Sequence, residues 1–161
     1  MQGDKKIIAI LNGLLAGELT AVDQYLLHGE TYADLGLPGL AEKSLHESDH
    51  ERQHARALMQ RILFLGGKPD VSKRHPMHPG NTVPAMLKAD LQLEYTVVSN
   101  LKKAIAACEG ASDFVTRDML LQQLEDTEMD HAYWLEKQLR LIAQTGLEKY
   151  LQSQAQNGQP S

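Results

Sequence analysis

Apolar residues recur at three- and four-residue steps through most of the chain, a spacing typical of amphipathic helices. In the first segment, from about Asp4 to Leu35, the apolar stripe is formed by Leu11, Leu14, Leu15, Val22 and Tyr25. Similar stripes predict helices over about 40–65 and 83–108, and from a cap at 112 or 113 to about 144. A short fifth helix is expected over about 147–154, followed by a frayed polar tail over 155–161.

The connections between these helices predict their arrangement. The turns near 36–39 and 109–112 are short, so each joins a pair of antiparallel helices. Between about 66 and 82 lies an irregular stretch with three prolines, which is long for a compact domain and can cross the length of a bundle. The third helix should therefore run parallel to the second. We predict an all-α, single-domain chain (1–161) with the ferritin-like form of the four-helix bundle, in which one long crossover joins two hairpins.

Composition narrows the class of protein. The chain has 161 residues, of which 42% are hydrophobic and 23% charged, as expected for a soluble domain with a sizeable core. Its net charge of -5 gives no reason to expect nucleic acid, which binds a basic face. The single Cys108 cannot form an intrachain disulfide. No apolar run resembles a signal peptide or approaches the ~20 residues of a membrane span, so we expect a cytoplasmic protein that contacts no membrane.

Six polar residues interrupt the apolar stripes of the four long helices. Each hairpin supplies a lone Glu, and then a Glu-x-x-His pair that begins 33 residues later in the first hairpin and 34 later in the second. The pattern predicts that all six point into the core: Glu18, Glu51, His54, Glu94, Glu128 and His131. With eleven Glu and seven His in 161 residues, the Glu-x-x-His spacing is expected about half a time by chance. It occurs three times, since Glu47 and His50 also match, so the specific signal is its duplication in register with two inward carboxylates.

Four buried carboxylates need compensating positive charge. Ionised carboxylates are costly in a core unless they are paired or bound to metal, and the stripes supply no Lys or Arg. Two divalent cations would cancel the four negative charges. Carboxylate with imidazole suits iron, manganese or zinc. The sequence therefore predicts a two-metal site between four helices, the arrangement found in ferritin-like di-iron proteins.

Long segments of the chain also resemble bacterioferritins. The resemblance rests on GDKKIIAILNGLLAGELTAVDQYLLH, HESDHERQHARALMQRILFLGGKP, DLQLEYTVVSNLKKAI and RDMLLQQLEDTEMDHAYWLEKQLRLIAQTGLEKYLQ. It implies a homo-oligomeric cage of many subunits that oxidises Fe²⁺ with O₂ or H₂O₂ and stores the product as a ferric mineral. It also implies that the six residues above are the ligands of a di-iron ferroxidase centre. A ferredoxin-type reductant for iron release is a further expected partner.

The chain departs from this family at the haem site. Bacterioferritins bind haem b between two subunits through a Met that directly follows the first ligand Glu of the second helix, and here that position is Arg52. A guanidinium offers no lone pair to iron. We therefore expect a homomer with little or no Met-ligated haem. A mixed cage with a second, haem-binding bacterioferritin subunit remains open.

Several other residues have two interpretations each. A row of polar residues, His46, Glu47 and His50, either passes iron to the cage interior, as similar positions do in the family, or is a solvated helix start. Tyr25 either supplies an electron or is a hydrogen-bonded core residue. Asp90, one turn before Glu94, either orients a ligand His or lies on the surface.

Other functions remain in competition with iron storage. A small-molecule di-iron oxidase or peroxidase of the ferritin-like superfamily is the alternative. A rubrerythrin-like protein would need additional Cys ligands, and the chain has one Cys. A DNA-protecting mini-ferritin would place its ligands between subunits and often add a basic tail.

Overall fold

The computed structural model describes residues 1–156 and contains six α-helices in that range. They are α1 (Lys5–Asp34), α2 (Pro38–Phe64), α3 (Val83–Gly110), α4 (Phe114–Asp126), α5 (Tyr133–Thr145) and α6 (Leu147–Gln156). No strand occurs in this part of the chain. The short C-terminal helix thus extends two residues beyond the predicted 154, and the remainder of the expected frayed tail, 157–161, lies outside the described residues.

Helix starts follow the chemistry of their first residues. The sequence predicts Asp4 as the N-cap of the first helix, and its side chain accepts a hydrogen bond from the backbone N–H of Lys6, which confirms the prediction. Of the two candidate caps at 112 and 113, Asp113 is the cap, since it accepts from the N–H of Thr116. The second helix begins earlier than predicted, at Pro38. Proline is favourable in a first helical turn because the N–H that it lacks has no partner there.

Two apolar clusters fix the direction of the helices. The first joins the N-terminal half of α1 to the C-terminal half of α3, through residues such as Ile7, Leu11, Leu101 and Cys108. The second joins the C-terminal end of α1 to the start of α3. Helix α3 is therefore antiparallel to α1 and parallel to α2, which confirms the ferritin-like bundle with one long crossover. Three of the four carboxylates predicted to bind metal, Glu18, Glu51 and Glu94, lie between the two clusters, at the middle of the bundle.

The sequence predicts one continuous fourth bundle helix, but this helix is interrupted in the structure. Between α4 and α5 the segment Thr127–Ala132 forms a π-helical turn. A π turn inserts one residue into an α-helix and rotates the side chains around it, and such turns are frequent at functional sites. This turn holds Glu128 and His131, so it changes the direction in which the second Glu-x-x-His pair points.

The crossover is anchored to α1 and α3 at Gly80. A Cβ there would lie 2.3 Å from the backbone of Ala85, so glycine is required for this close approach. Its N–H donates to Nε2 of His28, 3.1 Å away, and Nδ1 of His28 lies 2.8 Å from Asp90 Oδ1. Asp90 is therefore a buried partner of His28 and Gln24, and it contacts neither His54 nor His131. Both interpretations of Asp90, a ligand-orienting residue or a surface residue, are wrong in this structure.

Helix α1 is apolar enough to qualify as a membrane span by length and composition alone. Its most apolar 18-residue window has a mean hydropathy of 1.3, and the expectation that no segment approaches this limit is wrong. More than half of that window, 56%, is buried inside the bundle. A core helix of a soluble protein passes the same test, so this feature is weak evidence for a membrane.

Candidate metal centre

Five of the six predicted ligands converge at the centre of the bundle. Each of the four long helical segments contributes at least one of them, and none is more than 6% exposed: Glu18, Glu51, His54, Glu94 and His131. Glu51 and His54 share one face of α2, as their spacing of three residues predicts. His131 comes from the π turn, opposite them.

Glu51 lies between the two imidazoles. Its Oε2 is 3.0 Å from His54 Nδ1, and its Oε1 is 2.9 Å from His131 Nδ1. The His131 Nδ1 atom also lies 3.3 Å from Glu94 Oε1. Two sets of converging donors result, each with its atoms within 4.8 Å of one another, and Glu51 belongs to both: Glu18, Glu51 and His54 in one, Glu51, Glu94 and His131 in the other. This geometry suits two metal ions that share one carboxylate.

Several donor atoms of this cluster are buried without a hydrogen bond. They are Glu18 Oε2, Glu51 Oε1, Glu94 Oε2 and His131 Nδ1. Buried polar atoms normally have partners, and leaving one unsatisfied costs about 1–3 kcal/mol. No Lys or Arg within residues 1–156 forms a salt bridge with the Glu18, Glu51 or Glu94 carboxylate. The unsatisfied oxygens and imidazole nitrogen are the donors that iron accepts, so these residues fit a di-iron group.

The carboxylates of the cluster differ in how readily they ionise. Burial, with the negative charge of Glu51, raises the pKa of Glu18 well above its usual range and that of Glu94 to about 7. Burial alone would also raise the pKa of Glu51, but the imidazoles of His131 and His54, each beside one of its oxygens, outweigh burial and lower that pKa. Burial would lower the pKa of His131, and its carboxylate neighbours raise it instead. In the metal-free protein, the raised pKa values favour protonated Glu18 and Glu94, and a bound cation would displace these protons.

Glu128 lies outside the cluster. Its Oε1 is 3.0 Å from Lys102 Nζ and its side chain is 42% exposed, so the prediction that it faces inward is wrong. The π turn explains the difference, because spacing of three residues places two side chains on one face only in a regular α-helix. Its role as a metal ligand stays a prediction.

Asp126 is a residue that the sequence analysis did not consider. Its Oδ2 lies 3.1 Å from Nε2 of His54, the ring nitrogen that faces away from Glu51. A carboxylate on the outer nitrogen fixes the orientation and tautomer of a metal-binding imidazole. In the sequence, the one feature that could have indicated Asp126 is its position five residues before His131. Residues at this spacing lie on a similar face of a π turn.

The polar row on α2 begins at the cluster and leads to the surface. Glu47 Oε2 lies 2.6 Å from His131 Nε2, and His50 Nδ1 lies 3.0 Å from the same atom. Glu47 is 3% exposed, so it is not part of a solvated helix start. Burial alone would raise the pKa of Glu47, but His131 and Lys43 lower it to about 2. His46, with its ring centroid 6.0 Å from that of His50, is exposed.

Tyr25 is a buried, hydrogen-bonded core residue. Its hydroxyl donates to Glu94 Oε1. Burial and the nearby charge of Glu94 raise the pKa of its phenol well above the usual value. Its other suggested role, as an electron donor, stays a prediction.

Arg52 occupies the position of the family's haem-ligating Met. Its side chain is 58% exposed and its guanidinium lies 3.4 Å from Asp49 Oδ1. Since guanidinium cannot coordinate iron, this position does not fit a Met-ligated haem.

Known proteins resemble the chain over nearly its full length. A family described as the ferritin-like domain matches residues 8–145. A bacterial ferritin of Pseudomonas aeruginosa is 56% identical over 154 residues, which cover 96% of this chain and 99% of that protein. A bacterial ferritin of Synechocystis is 52% identical, again over 96% of this chain and 99% of that protein. A bacterioferritin of Mycobacterium leprae is 39% identical over 93% of this chain and 94% of that protein. The chain belongs to the ferritin family.

Proposed function

We propose that this protein stores iron, and that its central cluster binds two Fe²⁺ ions and oxidises them to Fe³⁺. The observation that carries the proposal is the group of three buried carboxylates, Glu18, Glu51 and Glu94, which share two imidazoles and have unsatisfied oxygens. Membership in the ferritin family supports iron storage as the general role. The ferric product would be kept as a mineral inside a cytoplasmic cage of many copies of this chain.

The residues of the cluster have separate tasks in this reaction. Glu51 would help to hold both ions, and His54 and His131 would each bind one of them. As the ions arrive, the protons held by Glu18 and Glu94 leave. Glu128 turns from Lys102 toward the second ion and supplies the fourth carboxylate. The hydroxyl of Tyr25 keeps Glu94 oriented.

The electrons balance with either oxidant. Each Fe²⁺ loses one electron, and O₂ gains two electrons and two protons to give H₂O₂. Alternatively, H₂O₂ gains two electrons and two protons to give two molecules of water. Fe³⁺ then passes along Glu47, His50 and His46 to the cage interior, since these side chains lead from His131 to the surface.

Removal of single ligands tests the assignment. Glu94→Ala and His131→Ala should each lose the rapid phase of Fe²⁺ oxidation, measured by stopped-flow absorbance with two Fe²⁺ per subunit. Anaerobic titration with Co²⁺ should give two ions per wild-type subunit and fewer in each variant. Glu42→Ala removes an exposed carboxylate from α2 and serves as the control. Rapid phases of equal rate in all four proteins would exclude the cluster as the site of oxidation.

The mass of the assembled protein separates this function from its alternative. A storage protein should form a large hollow assembly that retains many iron ions for each cluster. A small-molecule di-iron oxidase would bind the same two ions in a small oligomer and accumulate no mineral. Native mass spectrometry after loading with excess Fe²⁺ distinguishes the two.

A further inference from the structure

Two pockets reach the cluster from different faces of the bundle. One, the α1–α3 pocket, is a cavity of about 200 Å³ between α1, α3 and the crossover, and Glu18 forms part of its wall. The other, the α2–α5 pocket, has about 260 Å³ and lies against Glu47 and His50. The two share no helix, so a molecule entering through one approaches the ions from a different side than a molecule entering through the other.

The walls of the two pockets differ in chemistry. The α2–α5 pocket is lined largely by ionisable side chains. Its acids and imidazoles are Glu47, Asp130, His46 and His50, and Lys43 and Lys137 lie at the same pocket. The surface of the α1–α3 pocket is mostly apolar, and its apolar lining includes Leu14, Leu93 and Val97. Among the described residues that line it, Glu18 is the only carboxylate and none is Lys, Arg or Asp; the other polar side chains are hydroxyls, amides and the imidazoles of His75 and His78.

The difference in wall chemistry suits the two pockets to different substrates of the oxidation, Fe²⁺ and dioxygen. Hydrated Fe²⁺ must exchange water for other ligands, and the mostly apolar α1–α3 pocket offers one carboxylate, whereas Glu47 and Asp130 line the α2–α5 pocket. The α2–α5 pocket supplies carboxylates and imidazoles in a row. Dioxygen is small and apolar, and apolar cavities of about 150 Å³ bind gases such as xenon in proteins.

We propose that the α1–α3 pocket is the binding site through which dioxygen reaches the ions, while Fe²⁺ enters, and Fe³⁺ leaves, along the polar row on the α2–α5 side. The proposal rests on the oxidation reaction proposed above. Glu18 marks the meeting point: it is 1% exposed, and its Oε2 atom has no hydrogen-bond partner. An oxidant that leaves the pocket at Glu18 is already beside the set of converging donors formed by Glu18, Glu51 and His54.

The crossover maintains the outer wall of this pocket. His75 donates its backbone N–H to Thr20 Oγ1, 2.8 Å away, and its ring closes over α1 at Gly17. A Cβ at Gly17 would come within 3.3 Å of that ring, so glycine leaves room for the imidazole. The contact between Gly80 and His28 fixes the other end of the same wall. The pocket is thus built by contacts that hold the crossover against α1 and α3.

Xenon provides a direct probe of the wild-type protein. Crystals pressurised with xenon should show the gas in the α1–α3 pocket and none in the α2–α5 pocket. Xenon should also slow oxidation by O₂ in solution and leave oxidation by H₂O₂ unchanged, since H₂O₂ is polar. Absence of xenon from the α1–α3 pocket, or equal inhibition with both oxidants, would overturn the proposal.

Filling the pocket supplies a second test. Ala89→Phe places a ring in the pocket, and Ala106→Phe, at an exposed position of α3 outside the pocket, is the control. The variant A89F should slow oxidation by O₂ about tenfold and change the rate with H₂O₂ less than about twofold. Wild-type rates with O₂, or equal slowing with both oxidants, would contradict the assignment.

Anaerobic Co²⁺ binding separates the two proposals. Failure of the wild-type protein to bind Co²⁺ would contradict the oxidation site. Retained Co²⁺ binding with an unaffected O₂ rate in A89F would contradict only the pocket.

Discussion

The two hairpins carry the same pattern of Glu and Glu-x-x-His but present it differently. The α1–α2 hairpin brings all three of its residues, Glu18, Glu51 and His54, into the cluster. The second hairpin brings in Glu94 and His131 and leaves Glu128 beside Lys102. The difference arises in one segment, because α2 is regular whereas the corresponding part of the second hairpin is a π turn. A sequence repeat therefore fixes which residues recur, and the local helix type decides where each one points.

The hairpins also differ in how firmly their donors are held. In the first hairpin, His54 is fixed on both ring nitrogens, by Glu51 and by Asp126. Glu128 in the second hairpin has an exposed salt bridge, an interaction typically worth about 0–1 kcal/mol. Releasing Glu128 from Lys102 would therefore cost little, and a bound ion would compensate the charge that it carries inward. Glu128 is therefore the adjustable carboxylate of the second hairpin, whereas Glu94 and His131 are buried and held by their neighbours.

The largest expected effect comes from removing this adjustable carboxylate. Glu128→Ala should slow the rapid phase of Fe²⁺ oxidation by about a thousandfold, because the second ion loses one of its donors. Anaerobic Co²⁺ titration should fall from two ions per subunit toward one. Lys102→Met, which frees Glu128 from its partner, should retain both sites and bind Co²⁺ at least as tightly as wild type. Unchanged oxidation in E128A would mean that Glu128 stays outside the cluster, and that the hairpins differ in function as well as in geometry.

Much of the fold follows from the sequence because its causes are local. The apolar stripes, the caps at Asp4 and Asp113 and the long proline-containing crossover predicted the helices and their directions, and the structure agrees. The inward direction of Glu18, Glu51 and Glu94 was also predictable, since each lies on an apolar stripe of a regular helix.

The remaining features depend on tertiary contacts that periodicity does not encode. A single inserted residue over Thr127–Ala132 leaves the apolar stripe nearly intact, so the sequence favoured one continuous helix. That insertion decides the direction of Glu128 and brings Asp126 to His54 of the other hairpin. The partners of Asp90 likewise come from α1, more than sixty positions away.

A smaller effect should appear in the pH dependence of stability. The pKa of Glu94 is raised from 4.5 to about 7, so in this window the folded metal-free protein holds a proton that the unfolded chain has released. Its free energy of unfolding should therefore fall by about 3 kcal/mol as pH rises through the window, and the raised pKa of His54 acts in the same direction. Glu51, in the first hairpin, has a lowered pKa, so its contribution is lost only at pH below 4.5.

Denaturant unfolding of metal-free protein at several pH values measures this slope. Glu94→Gln should remove the part of the slope that Glu94 contributes. Glu42→Gln, at an exposed position, should leave the slope as in wild type. Saturating Co²⁺ should reverse the slope, because metal binding displaces the protons. A metal-free stability that rises between pH 5 and pH 7 would contradict the assigned direction.

The smallest effect concerns the contact that crosses between the hairpins. Asp126→Ala removes the partner of His54 Nε2 while leaving the six predicted ligands in place. Loss of such a partner should weaken metal binding by about tenfold. Competition between Co²⁺ and a chelator would measure it, and Asp126→Glu, which keeps a carboxylate, should recover part of the affinity. Asp130→Ala, an exposed carboxylate in the same π turn, controls for loss of charge alone. If D126A and D130A weaken binding equally, general electrostatics explain the effect, and the orientation of His54 is set within its own hairpin by Glu51.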